Sequence, residues 1–267
     1  MYLTDLHMHT FCSPDGAYSL ADMSAAAVAA GLSEICMTDH CDLMDLEGRF
    51  VPSFDWTPLE EEFDRTEQTA GLKIRFGIEL GEAQEDFDVA EGILQNAKLD
   101  FVIGSLHNLS RAAGGTDFHL KRYTSKEMCH QDLDDYFSQM YLLAKRGCFD
   151  VLGHIPYPLR YMRNRDGQKV TLDRYWDQIA EIFRTVIQNG KGIELNTNRG
   201  RSLEEWMPIL RLYKDLGGEI VTVGADAHRP DHVGLGIQDA YALLEAMKFR
   251  YVASYEKRKP HFFQVNQ

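Results

Sequence analysis

The sequence predicts an α/β fold in which parallel strands alternate with helices, and three features of the chain indicate it. Short runs rich in Val, Ile, Leu and Phe alternate with longer amphipathic stretches throughout the 267 residues. Most of the short runs lack a regular polar–apolar alternation, which is typical of parallel strands buried on both faces. No Pro-, Ser- or Gly-rich linker divides the chain. Strict alternation favours repeated βα units, so residues 1–267 are predicted to form a single domain.

Seven strands are predicted, each from a short apolar run. In chain order they span Tyr2–Leu6, Glu34–Thr38, Lys73–Ile78, Phe101–Gly104, Asp150–Leu152, Gly192–Leu195 and Glu219–Val223. Parallel βα units of this kind can close into a barrel. In such a barrel the C-terminal ends of all the strands meet at one rim, where side chains from distant parts of the chain come together.

Seven helices are predicted between and after the strands. Ser19 is a candidate N-cap of the first helix, and Gly31 follows its end. Pro58 stands in the first turn of the second helix, and Gly71 follows it. The predicted helices are Ser19–Ala30, Thr57–Ala70, Asp86–Ala97, Ser125–Lys145, Leu172–Gln188, Leu203–Leu216 and Asp231–Met247. The basic, aromatic tail Phe249–Gln267 is expected to form an edge strand or to pack on the barrel exterior, with a contact to a neighbouring subunit as the alternative.

Composition narrows the range of partners and compartments. The net charge of −13 and the pI near 5.2 disfavour polymeric nucleic acid, because an acidic surface repels phosphate backbones. The five cysteines form no CxxC pair, which favours a reducing compartment. The N-terminus has no signal-peptide pattern, and no apolar run approaches the length of a membrane span. We therefore expect a cytoplasmic protein without a membrane partner; the sequence leaves its oligomeric state open.

Residues of the types that bind metals gather at the predicted strand ends. His7 and His9, in DLHMHT, are two residues apart and so point to one face of a strand. The other candidates are Asp15 in SPDG, His40 in TDH, Glu79 in FGIELG, His107 in GSLHN, His154 in LGHIP, and Asp226 and His228 in GADAH. Any one of them could be an ordinary structural residue, and Asp39 is expected to hydrogen-bond a turn. Together, six histidines at strand ends predict a metal site of imidazoles and carboxylates, which suits Zn, Fe or Mn rather than Ca.

These motifs, in this order, resemble the PHP superfamily of polymerase and histidinol phosphatase domains, over nearly the whole chain. The segments SPDG and ELNT are most similar to its stand-alone histidinol-phosphate phosphatase branch. The resemblance implies a distorted (β/α)7 TIM-like barrel with three divalent metal ions at the C-terminal ends of the strands. It implies that His7, His9, Glu79 and Asp226 hold the first ion, that Glu79, His107 and His154 hold the second, and that Asp15, His40 and His228 hold the third.

The resemblance also implies a reaction, the hydrolysis of L-histidinol phosphate to L-histidinol and phosphate in histidine biosynthesis. A multi-metal site lowers the pKa of a bound water and neutralises phosphoryl oxygens, so a metal-bound hydroxide is the expected nucleophile. Glu79, Asp226, His228 and Arg160 are the expected catalytic residues. Arg160 and Arg199 are expected to bind the substrate phosphate, because a planar guanidinium holds two phosphate oxygens at once.

Two alternatives to this reaction remain open from the sequence. The chain could be a PHP phosphoesterase for another small ester, such as a sugar phosphate or a nucleotide. Less favoured is a metal-binding domain without catalytic activity. The proton donor for the leaving alcohol is also open, with Asp42, His119 and Asp39 as candidates.

Overall fold

The fold is built on a nearly closed barrel of parallel strands. The structure is a computed structural model that describes residues 1–66, 71–201 and 203–266. Its barrel strands are β1 (Thr4–Met8), β2 (Glu34–Met37), β3 (His40–Asp42), β4 (Lys73–Gly81), β5 (Phe101–Ser105), β6 (Val151–Leu152), β7 (Gly192–Asn196) and β8 (Val221–Gly224). The order is β1-β2-β4-β5-β6-β7-β8, with β3 continuing the position of β2 beside β4. Backbone bonds from His9 to Ala227 and from Asp226 to His7 join β1 to the end of β8 and close the barrel.

All seven predicted strands are present, with two differences that move the site. The second strand position is interrupted between Met37 and His40, so that His40 begins a new strand instead of following one. Strand β4 runs on to Gly81, so Glu79 lies inside it, and the prediction that Glu79 ends this strand is wrong. The reason is that β3 pairs with the extension of β4, where His40 and Glu79 are register partners. This pairing sets two predicted ligands side by side.

The helices surround the barrel. They are α1 (Leu20–Ala29), α2 (Thr57–Arg65), α3 (Phe87–Ile93), α4 (Lys126–Arg146), α5 (Tyr157–Leu159), α6 (Trp176–Gln188), α7 (Leu203–Asp215) and α8 (Ile237–Ala246). Ser19 caps α1, as predicted, and the structure shows that it forms a capping box with Asp22. Residues 67–70, the end of the predicted second helix, lie outside the described residues. Among the described residues, no helix is both long and apolar enough to cross a bilayer.

Some helix boundaries differ from the prediction. Helix α8 begins at Ile237 rather than Asp231, because Gly236 has a φ of 77° and interrupts the helical backbone. Helix α3 ends at Ile93, and α6 starts at Trp176, four residues later than predicted. The sequence did not predict α5, which leads into a π-helical segment at Arg160–Arg165. That segment carries one of the predicted phosphate-binding arginines.

The C-terminal tail closes the other end of the barrel. It forms an antiparallel hairpin of β9 (Tyr251–Glu256) and β10 (Lys259–Gln264), separate from the barrel sheet. The turn of the hairpin bonds to residues that precede β5 and β6: the Lys257 N–H donates to Asp100, and the Arg258 guanidinium pairs with Asp150. The prediction of an edge strand or an exterior segment is therefore wrong. Tyr255 and its neighbours pack among the inward side chains of the strands, in a cluster of Leu6, Cys36, Phe101, Ile103, Val151, Ala253 and Tyr255.

Truncation of Tyr255 to alanine should destabilise the protein strongly. The ring is 2% exposed and stacks on Phe101 with centroids 4.9 Å apart, so its loss leaves a cavity inside the barrel. We expect the free energy of unfolding to fall by about 3–5 kcal/mol in urea denaturation. The matched control is Phe262→Ala on the same hairpin, where the ring is 47% exposed and the expected change is below about 0.5 kcal/mol. Equal losses in the free energy of unfolding for the two variants would contradict the view that the hairpin acts as a plug, closing this end of the barrel by packing Tyr255 into its interior.

Candidate metal centre

The first group of predicted ligands converges at the C-terminal rim. The Nε2 atoms of His7 and His9 lie 3.1 Å apart. Oxygen Oε2 of Glu79 is 3.2 Å from the first of these nitrogens and 3.4 Å from the second. Oxygen Oδ1 of Asp226 is 3.8 Å and 3.6 Å from the same two atoms. The structure therefore brings together the two imidazoles and two carboxylates that were predicted for the first ion.

The second group shares Glu79 with the first. Its other oxygen, Oε1, is 2.7 Å from Nε2 of His154 and 3.2 Å from Nε2 of His107. The two imidazole nitrogens are 3.2 Å apart. Glu79 is 1% exposed. One buried carboxylate thus turns one oxygen toward each group, which is the geometry needed to bridge two cations.

The third group lies on the side of the rim that is open to solvent. Oxygen Oδ2 of Asp15 is 2.9 Å from Nε2 of His228, and its Oδ1 is 3.6 Å from Nε2 of His40. Ligand atoms of His9 also fall within 4.8 Å of this set, and its ring stacks on that of His228. His9 therefore lies between the first and third groups, whereas it was predicted only in the first.

The charges of the cluster suit divalent cations. Burial would raise the pKa of Glu79, but the imidazoles of His7 and His107 outweigh it and hold this pKa well below its usual range. Burial lowers the pKa of His9 to about 3, helped by His228 and His40, so its ring stays neutral with a lone pair to give. The donor set of imidazoles and carboxylates, with separations near 3–4 Å, fits Zn, Fe or Mn ions.

Other side chains contact the Nδ1 atoms of His7 and His9, on the side of each ring that faces away from the cluster. The Ser13 hydroxyl donates to Asp39 at 2.6 Å and lies 3.1 Å from Nδ1 of His9, whose N–H it can accept. Asp39 also accepts the backbone N–H and the hydroxyl of Thr10, so it hydrogen-bonds a turn, as expected, and takes no place among the ligand groups. Glu194 lies 2.6 Å from Nδ1 of His7. Sequence reasoning missed both Ser13 and Glu194; a lone carboxylate in the apolar run GIEL was the one available signal for Glu194.

The two predicted arginines are placed differently. The Arg160 guanidinium reaches the cluster, donating to Oδ2 of Asp226 at 2.8 Å and to Oδ1 of Asn196 at 2.7 Å. Arg199 lies in the loop after β7, where its backbone N–H donates to Ala225 and its guanidinium donates to Asn198. The structure thus brings Arg160 to the predicted ligands, while Arg199 is held by its own loop.

Several residues around the rim have a strained backbone. Of the non-glycine residues with a positive φ, four lie there, Glu82 (51°), Asn198 (45°), Arg199 (59°) and Asp226 (61°), and the others are Lys248, Lys257 and Arg258 near the C-terminal hairpin. Each such conformation costs of order 1–3 kcal/mol and persists only where the surroundings enforce it. For Asp226, its N–H donates to the carbonyl of His7 and its carboxylate accepts from Arg160, and these two bonds hold the strained geometry. These bonds fix the position of the Asp226 carboxylate at the rim.

The three candidate proton donors have different surroundings. Asp42 faces the cluster, with its oxygens 3.5 Å from Nδ1 of His40 and 3.5 Å from Nδ1 of His107. These three residues could also hold an ion, but a neutral imidazole has one lone pair, so each of these two rings can serve only one group. Asp39 is fully engaged with its turn. The His119 ring lies against Tyr161, with centroids 5.5 Å apart.

Fold and site together define a metalloprotein of the parallel (β/α)-barrel class. The PHP domain family model matches residues 5–198, which is more than half of the sequence. The chain therefore belongs to the PHP domain family. The match includes the predicted ligands from His7 to His154, and Asp226 and His228 lie beyond it in the closing strand region.

Several relatives carry names that refer to one reaction. The chain is 31% identical to a probable histidinol-phosphatase of Clostridium acetobutylicum, over 95% of this chain and 97% of that protein. It is 27% identical to the histidinol-phosphatase of Lactococcus lactis, over 96% and 95% of the two chains. The crystal structure of histidinol phosphate phosphatase from Lactococcus lactis, complexed with Zn, L-histidinol and phosphate, matches with a TM-score of 0.81 at 25% identity. That match covers 97% of this chain and 98% of the other.

Proposed function

We propose that this chain is a metal-dependent phosphatase that hydrolyses L-histidinol phosphate to L-histidinol and phosphate. The observation that carries the proposal is the position of Glu79, whose two oxygens face two separate groups of imidazoles. A carboxylate shared in this way suits adjacent cations, which is the arrangement used for in-line displacement at phosphorus. The names and the bound molecules of the relatives supply the substrate.

The ligand groups are proposed to hold three divalent ions of zinc, iron or manganese. His7, His9, Glu79 and Asp226 would hold the first, Glu79, His107 and His154 the second, and Asp15, His40 and His228 the third. Bound ions would supply an activated water and would neutralise the charge of the phosphoryl group. The zinc in the Lactococcus lactis structure supports zinc among these three metals.

The protein itself would bind and orient the phosphate. Arg160 is proposed to contact it, because its guanidinium already lies within 2.8 Å of Asp226 at the edge of the first group. A planar fork of donors matches two phosphate oxygens. Arg199 is proposed to join it from the loop after β7, which requires its guanidinium to leave Asn198. Glu79, Asp226 and His228 would contribute to the reaction as ligands that keep the metal ions in position.

Phosphate release from a panel of esters tests the substrate. We expect the metal-replete protein to prefer L-histidinol phosphate in kcat/KM, by at least about tenfold, over sugar phosphates, nucleotides and a phosphodiester. His9→Ala should lower kcat/KM roughly 100-fold or more, since losing an outer partner of a ligand already costs 10–100-fold. The matched control is His261→Ala, an exposed histidine on the tail hairpin, which should behave like the wild type.

The outcomes separate the alternatives. Better turnover of another ester would show that the proposed substrate is wrong and that the protein is a phosphoesterase for a different compound. The relatives in Thermoanaerobacter that are named probable phosphatases would be consistent with that outcome. No turnover of any ester with metals bound would favour a non-catalytic metal-binding domain. Loss of activity in the His261→Ala control would show that the assay follows stability rather than the ligand cluster.

A further inference from the structure

Glu194 is a buried carboxylate that lies behind the ligands of the first and second groups. It stands on β7, is 1% exposed, and takes no place in any of the ligand groups formed by the described residues. Its Oε1 is 2.6 Å from Nδ1 of His7, and its Oε2 accepts the backbone N–H of His154 at 2.9 Å. We propose that Glu194 is a positioning residue that sets the tautomer of His7 and ties the His7 and His154 ligands into one rigid unit.

The first part of the proposal follows from the hydrogen-bonding capacity of the two groups. A carboxylate only accepts hydrogen bonds, so the contact of 2.6 Å assigns an N–H to the His7 nitrogen that faces Glu194. In the neutral ring that an ion requires, the lone pair is then on Nε2, the atom that lies 3.2 Å from Glu79 and 3.1 Å from Nε2 of His9. In the other tautomer an N–H would point into the cluster and would block an ion. Carboxylate partners of this kind fix and strengthen imidazole ligands.

The second part of the proposal concerns three strands of the barrel, of which β6 and β7 are paired and β1 lies beyond β8. His7 belongs to β1 and His154 follows β6, while Glu194 belongs to β7. One carboxylate bonds to both, and the Asn196 amide donates to the same Oε1 at 3.2 Å. Asn196 also accepts a hydrogen bond from Arg160. A continuous chain of hydrogen bonds therefore runs from Arg160, which is proposed to bind the phosphate, through Asn196 and Glu194 to His7.

The barrel makes room for this carboxylate. A Cβ atom at Gly224, on β8, would lie 2.7 Å from Oε1 of Glu194 and 2.4 Å from Cβ of His7. A glycine at this position therefore allows His7 and Glu194 to approach each other. The contact between His7 and Glu194 therefore depends on the small residue at position 224. Stability of the barrel alone would not require the His7 imidazole to face the Glu194 carboxylate.

Metal binding tests the proposal without any substrate. In Glu194→Gln, zinc affinity measured by chelator competition should fall roughly 10- to 100-fold at one site, and the ¹⁵N resonances of the His7 ring should shift toward a mixture of tautomers. Glu194→Asp keeps the charge but cannot span both contacts, so its loss should be smaller. The matched control is Glu34→Gln, a fully buried carboxylate at the opposite end of the barrel, which pairs with Arg75. This control should leave zinc affinity unchanged.

Each result decides the question. Wild-type zinc affinity with an unchanged His7 resonance in Glu194→Gln would overturn the proposal, as would an equal loss in Glu34→Gln. If Glu194→Gln does not fold, the same readings on Glu194→Asp decide it. The inference rests on the metal centre of the proposed function but not on its substrate. A wild-type protein that binds zinc without cleaving L-histidinol phosphate would disprove the proposed substrate and leave this inference standing.

Discussion

Glu79→Gln should abolish activity and remove metal from two sites at once. The substitution keeps the shape of the side chain but replaces an anion that faces His7 and His9 through one oxygen and His107 and His154 through the other. An amide has one acceptor oxygen and cannot bridge two cations. We expect kcat/KM to fall by at least about 10³-fold, because loss of a single preorganised group already costs 10²–10³-fold. Metal analysis of the purified protein should show fewer bound ions.

The control for this variant is Glu62→Gln, which removes a buried carboxylate that belongs to none of the ligand groups formed by the described residues. Glu62 is 3% exposed and accepts the backbone N–H of Leu20 on the outer layer of helices. It should cost stability without changing the number of bound ions. If Glu79→Gln retained a full set of metals, Glu79 would not be the bridging ligand, and the assignment of the first two groups would fail.

The clustering of the candidate ligands could be predicted because each of them can be recognised from the residues next to it in the sequence, at the end of an apolar run. A histidine or carboxylate that follows an apolar run is visible in the sequence, and parallel strands bring all such ends to one rim. His107 and His154 are examples: they are 47 residues apart in the chain, yet their Nε2 atoms are 3.2 Å apart. The PHP resemblance added the grouping of the ligands, which strand-end reasoning alone left open.

The partners behind the ligands could not be predicted in the same way. The contact between His7 and Glu194 joins residues 187 apart, and the lone carboxylate in GIEL marks Glu194 as unusual without indicating that His7 is its partner. The interruption after Met37 depends on pairing between β3 and the extension of β4, which is again a tertiary effect. The hairpin plug has a similar origin, because Tyr255 is recognisable as an interior residue only once the barrel around it exists.

The strained backbone at the rim links the fold to the chemistry. Asp226 has a φ of 61° and presents one oxygen toward His7 and His9 and the other to Arg160. The cost of the strain is met by the closing bonds between β1 and the end of β8, so the closure of the barrel and the geometry of the ligands depend on each other.

Arg160→Lys should separate phosphate binding from metal binding. Arg160 donates to Asp226 and Asn196 from a planar fork, whereas a lysine offers a single point charge and cannot hold two acceptors and a phosphate in fixed directions. We expect kcat/KM for L-histidinol phosphate to fall by about 10²–10³-fold, as for the loss of one preorganised donor. The number of bound metal ions should stay at the wild-type value, because the lysine keeps a positive charge beside Asp226 and the N–H of Asp226 still donates to His7.

The matched control is Arg163→Lys, three residues along the same π-helical segment. Its side chain is 42% exposed and pairs with Glu205, away from the cluster. This variant should keep kcat/KM within about twofold, since surface ion pairs contribute little. An equal loss in both variants would mean that the segment acts through its shape, and wild-type kinetics in Arg160→Lys would remove Arg160 from the phosphate site. A large loss in Arg160→Lys alone, with metals retained, would leave direct contact with the phosphate as the physical explanation.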